Sequence, residues 1–565
     1  MNKIKLLSFS VLSGVLLFGD SSIASPAVDS LPGVIDRGAP EIQVPKGYKL
    51  DDEVAKPLKD APELDAPANG GEIVANLDKV NFKGLSVIST SLIDKAVAPY
   101  LSRDLTKLDI AKLKHDLTRL FYDAGYILVK VVTPPQDLSD GVLDVEIYEA
   151  KIGTLDIKND VINPRIAESI SHRISKGDVF FEDSVESVVS DINDLNNVRA
   201  SVNLRPGAAF GETDLLLTVN KADEEVQRVT VDNYGSELTG EIVAAAHLEK
   251  NNLLNLGEKI SLDVRRSEDQ LWSLGGRVVS PIGISNYNIE ASYLFSRNEI
   301  GDRLSVLGAS GQTSVFGVAL SKNLYNVRDT KATFKLGLDV REHESFEDAT
   351  TGREITTSKD EISQAYANLS YLSRGNEAVI FASVRVSTGV DLFGANNQGS
   401  ASASNPNGDP DAWIINPSIY VNALSPFTDG SIKFIGSAQL ATNELLSSDL
   451  FVLGGYGSVR GFNPAYETGE AGYSFSIEYQ HNLPPIGESW DVSVGPFFDG
   501  GTVLNREVAA VDRDLYAAGL GIEAKADLTD VGTTKVRFDW AHPLGNYKSN
   551  EVDNDTFYLR LSQEF

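Results

Sequence analysis

The chain has 565 residues with 80 acidic against 50 basic side chains, a formal charge of −30, and it contains no cysteine and one methionine. That charge argues against a nucleic-acid partner, since phosphate binding needs clustered Lys and Arg. The missing cysteines exclude disulfide frameworks, thiolate metal sites and cysteine nucleophiles. At this length one hydrophobic core does not suffice, and several domains are expected.

At the N-terminus, Lys3 and Lys5 precede an apolar run from Leu6 to Phe18, and Ser22-Ile23-Ala24 places small residues at a cleavage position. Residues 1–24 therefore read as a signal peptide for export. Beyond it no apolar run reaches the length of a membrane-spanning helix, so a membrane location would require a barrel. Residues 25–71 form a linker, with Pro26, Pro32, Pro40, Pro45, Pro57, Pro62 and Pro67 denying a long helix or ladder. Leu31–Arg37 offers at most a short helical piece before Gly38-Ala39-Pro40 stops it.

Residues 72–149 read as strand, helix, helix, strand, strand. The second helix sets Ile110, Leu113, Leu117, Leu120, Phe121 and Ala124 on one face, with Gly125 at its C-cap. Tyr126–Thr133 is expected as a strand, and Asp140-Gly141 turns the chain into Val142–Ile147. The same order recurs over residues 150–225: Ile152–Ile157, helices Pro164–Ile174 and Glu182–Leu195, then Val198–Leu204 and Thr213–Val219. Two small α+β units make a tandem repeat, each with a sheet edge that could accept an extended guest strand.

From residue 226 to 565 helical periodicity gives way to short alternating segments. Ile260, Leu262 and Val264 alternate with Ser261, Asp263 and Arg265, and Phe557, Leu559 and Leu561 with Tyr558, Arg560 and Ser562. Large apolar residues on one face and charges on the other suit strands with lipid outside and water inside. Short turns are expected near Asn252, Gly283, Tyr325, Gly375, Asp429, Pro485 and Asp530. Long loops are expected near Gly235, Glu268, Gly301, Thr350, Ala401, Gly457, Val511 and Asn550. Such turns and loops, alternating, bound sixteen antiparallel strands, an even number that closes a transmembrane β-barrel.

Within that pattern Gly454-Gly455-Tyr456-Gly457-Ser458-Val459-Arg460-Gly461-Phe462 carries one arginine among close-packing glycines. It falls in the sixth outer loop. Phe497-Phe498-Asp499-Gly500-Gly501 falls on strand thirteen and offers a lone carboxylate to a buried guanidinium. With Asp123-Ala124-Gly125-Tyr126, Pro134-Pro135-Gln136 and the opening Val231-Asp232-Asn233-Tyr234-Gly235-Ser236 through Gly240, these stretches resemble the outer-membrane transporters of two-partner secretion. That is the haemolysin and filamentous-haemagglutinin exporter group within the superfamily of POTRA-bearing assembly barrels, and the likeness covers nearly the whole chain.

The resemblance implies two POTRA domains ahead of the barrel and a motif in loop six, Val459, Arg460, Gly461 and Phe462, paired with Phe497, Asp499 and Gly501. It implies export of one unfolded exoprotein, recognised in the periplasm by the POTRA domains, through the pore to the surface of a Gram-negative bacterium. The implied partners are a cognate β-helical exoprotein of the TpsA type, outer-membrane lipids and lipopolysaccharide, and the β-barrel assembly machinery during biogenesis, with the transporter itself a monomer. Family members often begin with a helix that plugs the pore, and the short piece at Leu31–Arg37 is a weak counterpart.

No G-x-S-x-G or H-E-x-x-H occurs, and His115, His172, His247, His343, His481 and His542 form no i, i+4 pair. No enzyme activity, cofactor or metal is expected. The alternative functions are an insertase that assembles other barrels, which usually carries three or more POTRA domains, and a passive porin, which needs none.

Overall fold

A computed structural model describes residues 71–565, with Glu63, Leu64 and Pro67 ahead of them, except for 196–197, 223–224, 238, 269–270, 283–286, 300–308, 328, 348–354, 376, 488, 506–512, 529–531 and 546–554. The expected signal peptide and the helical piece at 31–37 lie outside the described residues, as does nearly all of the expected linker.

The first α+β unit comprises β1 (Ile73–Leu77), β2 (Lys79–Lys83), α1 (Thr90–Val97), β3 (Arg103–Thr106), α2 (Lys107–Asp123), β4 (Lys130–Val132) and β5 (Val142–Tyr148). α2 begins at a reciprocal cap. Thr106 Oγ1 accepts from the Asp109 N–H at 3.2 Å, and Asp109 Oδ2 accepts from the Thr106 N–H at 2.9 Å. The helix stops before Gly125, whose φ of 86° is a left-handed turn that glycine adopts freely. Leu113, Leu117 and Phe121 are fully buried against the sheet.

The second unit has β6 (Lys151–Asn159), α3 (Pro164–Ser171), α4 (Glu182–Asn193), β7 (Val198–Pro206) and β8 (Glu212–Lys221). Both sheets run first strand, third strand, second strand, β2-β5-β4 and β6-β8-β7, and in each the central strand is parallel to the first and antiparallel to the other. The tandem repeat is thus one of topology. The first unit departs from the expected order in β3, which pairs with β1. The expected strand Tyr126–Thr133 shrinks to β4. Its first residues are drawn elsewhere: Ile127 joins the core of the second unit, and the Tyr126 ring packs 5.2 Å from that of Phe181.

The remaining chain forms β9 (Val226–Asp232), β10 (Val243–Asn251), β11 (Lys259–Ser267), β12 (Trp272–Pro281), β13 (Tyr287–Glu299), β14 (Ala309–Val327), β15 (Thr330–Glu347), β16 (Ile355–Arg374) and β17 (Ala378–Gly389). It continues with β18 (Ile414–Leu424), β19 (Gly430–Ala441), β20 (Phe451–Leu453), β21 (Glu467–Gly469), β22 (Ala471–Ile486), β23 (Trp490–Leu504), β24 (Arg513–Leu528), β25 (Gly532–Pro543) and β26 (Thr556–Glu564). All but β20 and β21 close into one antiparallel barrel of sixteen strands, with β26 joined to β9. Leu559 and Leu561 are half exposed on the outer face while Arg560 between them is buried. An apolar face turned outward is the reverse of a soluble core and marks a lipid-facing wall. The second outer connection, expected to be long near Glu268, runs only from the end of β11 at Ser267 to Trp272.

The second unit sits directly on the periplasmic rim. Asn252 Nδ2 donates to Val161 O at 3.2 Å, and the Asn163 N–H donates to Asn255 O at 2.8 Å. Near the end of β14, Asn326 Nδ2 donates to Asp191 Oδ1 at 2.6 Å and Asp194 Oδ2 at 2.8 Å, and Lys331 Nζ lies 2.8 Å from Asp194 Oδ2.

Candidate functional site

Loop six, residues 442–470, enters the lumen rather than standing above it. β20 and β21 form a short hairpin, and Gly454 and Gly455, at φ 109° and 89°, fold the chain back where an added Cβ would strike Asn463 O at 2.6 Å or Pro464 Cα at 2.9 Å. The turn delivers Arg460 to the inner wall. Its Nε donates to Asp499 Oδ2 at 2.7 Å and its Nη2 to Asp499 Oδ1 at 2.9 Å, while its backbone N–H adds a third bond to Asp499 Oδ2 at 3.1 Å. This two-pronged guanidinium–carboxylate geometry is the strong form of the ion pair. The guanidinium carbon also lies 3.3 Å from the centre of the Phe497 ring. Arg460 is 5% exposed and Asp499 1%.

The structure therefore brings Arg460, Phe497 and Asp499 into contact. Val459 and Phe462 are buried with Leu453, Val503, Leu515 and Ala517 and anchor the turn by apolar packing. Gly461, at φ 90°, donates its N–H to the Tyr558 hydroxyl at 2.9 Å. At Gly501 a Cβ would meet Tyr473 O at 2.5 Å and the Leu453 side chain at 2.6 Å, so a larger residue would push β20 off the wall.

Several participants are not marked by any motif. Arg460 Nη1 also lies 3.3 Å from both Glu478 Oε2 and Asp539 Oδ1. Arg537 Nη2 bridges the same two acids, 2.8 Å from Glu478 Oε1 and 2.5 Å from Asp539 Oδ1. Two guanidinium groups thus share three carboxylates on β22, β23 and β25. The Tyr456 hydroxyl donates to Asp539 Oδ2 at 2.8 Å, and its ring stacks on that of Tyr234 at 3.7 Å and 9°. Tyr234 follows β9, at the junction of the first and last strands. There Asp232 pairs with Arg560 at 2.9 Å, and the Asn233 side chain donates to Phe557 O and accepts from the Leu559 N–H, extending the ladder with an amide side chain.

The base of loop six is tied elsewhere. Asp449 Oδ1 accepts from Arg341 Nη2 on β15 at 2.7 Å, and β15 and β25 stand eight places apart in the ring of sixteen. Loop six consequently strings together opposite walls. The preceding outer loop braces it, with Asn405 Nδ2 donating to Leu445 O at 2.9 Å and the Ser447 N–H to Ser404 Oγ at 3.0 Å.

A sixteen-stranded lipid-facing barrel with paired α+β units on its periplasmic rim and an arginine-tipped loop locked inside defines an outer-membrane transport barrel. The family model for haemolysin secretion/activation protein ShlB/FhaC/HecB matches residues 211–525, over half of the chain, and that for the ShlB-type POTRA domain matches 75–150. The chain belongs to this family of two-partner secretion transporters, and its place is the outer membrane, with the N-terminal domains periplasmic. Similar proteins include the heme/hemopexin transporter protein HuxB of Haemophilus influenzae, 24% identical over 82% of both chains. The outer membrane transporter CdiB of Escherichia coli is 24% identical over 96% of this chain and 92% of its own. The solved structure of E. coli CdiB covers 100% of this chain and 99% of its own, with a TM-score of 0.73 at 19% identity; that of Acinetobacter baumannii CdiB covers 100% of both, with 0.68 at 17%.

Proposed function

We propose that residues 72–225 receive one unfolded exoprotein in the periplasm and hand it to the barrel, residues 226–565, which passes it to the cell surface while loop six withdraws. What carries this reading is the direct seat of the second unit on the rim through Asn252, Asn255, Asn323 and Asn326, which leaves a bound chain no gap to cross before the lumen. An extended cargo presents free backbone donors and acceptors, and adding it as a strand to a sheet edge satisfies them without demanding one sequence. Arg460 with Asp499 sets the resting position of loop six.

The work is transport, not catalysis, and needs no cofactor. The partners we assign are a cognate β-helical exoprotein, the lipids and lipopolysaccharide around the barrel, and the barrel assembly machinery during biogenesis, with a monomer as the working unit. The charge of −30 leaves no role for nucleic acid. A variant lacking residues 72–222 should insert yet lose secretion, measured as cargo in the medium against barrel in the membrane. Wild-type secretion by such a variant would end the receptor role.

A further inference from the structure

The inner wall carries a row of uncharged polar side chains, one amide followed by six hydroxyls, that no motif announces. Asn323 of β14 stands opposite Thr333 of β15, Thr333 opposite Ser370, Ser370 opposite Ser383, Ser383 opposite Ser418, Ser418 opposite Ser437, and Ser437 opposite Ser474 of β22. Each lies on the inner face; their sequence neighbours Leu369, Val384 and Ile419 are exposed on the outer one. Hydrogen bonds link the row, from Thr333 Oγ1 to Asn323 Oδ1 at 3.0 Å, between Ser383 and Ser418 at 2.8 Å, and between Ser437 and Ser474 at 2.9 Å.

The row is a ramp rather than a belt. Barrel strands lean by about 35–45°, so a line of directly opposed residues leans as well and advances along the pore. It starts near the periplasmic end of β14, which finishes at Val327, and reaches the outer end of β22, which begins at Ala471. Six steps of about 4.8 Å give a path of roughly 29 Å, of which about 17 to 20 Å is advance along the barrel axis at that tilt. Its lower end is the seat of the second unit, where Asn323 Nδ2 donates to Asp194 Oδ2 at 3.1 Å. Its upper end reaches loop six, since Ser474 stands opposite Gly501, against which Leu453 packs.

A second observation points to a ligand. One step along the inner face from Ser370 and Ser383, Asn368 and Arg385 stand opposite each other, 2% and 8% exposed, and Asn368 Oδ1 and Arg385 Nη1 have no protein partner. On the other flank, Asn422 Oδ1 is buried and unpartnered too. Buried polar atoms without partners are costly, and a rotation of these side chains toward the lumen would let a polar chain there satisfy them.

We propose that this row is the lumenal track of an extended, unfolded polypeptide on its way from the second α+β unit to loop six. The proposal rests on the transport reading above and adds its route. A hydroxyl both donates and accepts, so it serves peptide N–H and C=O groups alike, and it carries no charge that would trap a passing side chain. The pitch of about 4.8 Å is out of step with the roughly 3.3 Å per residue of an extended chain, so no position of the cargo matches every hydroxyl at once. The chain is held in the lumen without settling in it.

The test uses the full-length transporter in liposomes. The probe is a 30-residue peptide of Gly, Ser, Asn and Val, added on the POTRA side, with a biotin at its trailing end held by streptavidin so that it threads and stays. A photo-cross-linking residue is placed at Ser418, at Ser437, or at Ser261, an inner-wall hydroxyl of β11 that lies off the row. Cross-links to the peptide from 418 and 437 exceeding those from 261 are expected. In the same liposomes without streptavidin, the Ser418→Val/Ser437→Val double variant should slow peptide transit roughly fivefold, with Ser418→Thr/Ser437→Thr near wild type. Equal labelling at all three positions, labelling from 261 alone, or equal transit through the Val and Thr variants would overturn the track while leaving transport through the lumen in place. No lumenal cross-link at any position would overturn the transport route itself.

Discussion

At Arg460 the physical demand is plain: a guanidinium 5% exposed inside a barrel must be matched by charge, and the wall supplies Asp499 with Glu478 and Asp539 behind it. Removing one partner of a buried pair costs roughly 3 to 5 kcal/mol, because the survivor is left uncompensated. Arg460→Ala and Asp499→Ala should each release loop six and lower secretion, and the double variant should be less than additive in a protease-sensitivity assay of that loop. Strict additivity would show that the two act apart. Arg460→Lys keeps the charge and loses the two-pronged fork, and is expected to behave closer to Ala than to wild type. A glycine-flanked arginine alone is a weak signal; Arg460 and Asp499 were legible in the sequence only through context, because the counted turns put them in the sixth outer loop and on strand thirteen, where their motifs resemble the family's. Glu478, Arg537 and Asp539 were not, because each is one more inward residue on an alternating strand, and only the closure of β22, β23 and β25 into a common wall brings them together.

Among the elements, α4 is the one whose charge state bears on the whole. Burial pushes the Asp191 carboxyl above its ordinary range, against the opposing pull of Asn326 and Arg173, with Asp194 adding to the rise. A carboxyl whose folded pKa exceeds its unfolded value favours folding below the unfolded pKa and loses that contribution as pH climbs through the folded pKa, at about 1.4 kcal/mol for each unit between them. The melting midpoint of the wild type relative to Asp191→Asn should therefore fall as pH rises across that acid window and level off above it. A flat difference would remove Asp191 from the linkage. The elements themselves were legible to differing degrees. The capped helix α2 and the turns between strands are written locally, in Thr106, Asp109, Gly125 and the turn residues. The loss of Tyr126–Leu128 from the expected strand is not, since those residues answer to Phe181 and the core of the neighbouring unit, a contact between distant parts of the chain.

For the whole molecule the remaining question is what drives a chain through a passive pore. Sixteen strands could be counted from alternation and turns because each strand must satisfy lipid on one side and water on the other, a requirement every residue reports by itself. The lock across the lumen, Arg341 with Asp449 at one wall and Arg460 with Asp499 at the other, could not be counted, since it depends on which strands face each other. We propose that the cargo brings its own free energy by folding outside, a reading that requires neither a nucleotide nor a potential across the outer membrane. Folding yields about 0.05 to 0.15 kcal/mol per residue, which over many hundreds of residues sums to tens of kcal/mol. A segment that folds on emerging cannot slide back, and each folded increment biases the next step outward. The lumen must then keep the chain extended without holding it, which suits a wall of polar side chains. A cargo carrying internal prolines that block folding of its surface portion should stall with the chain spanning the barrel, detected as cargo protected from external protease at one end and cleaved at the other. Release of that unfoldable cargo at the normal rate would reject folding as the driving force and require an energy source on the periplasmic side.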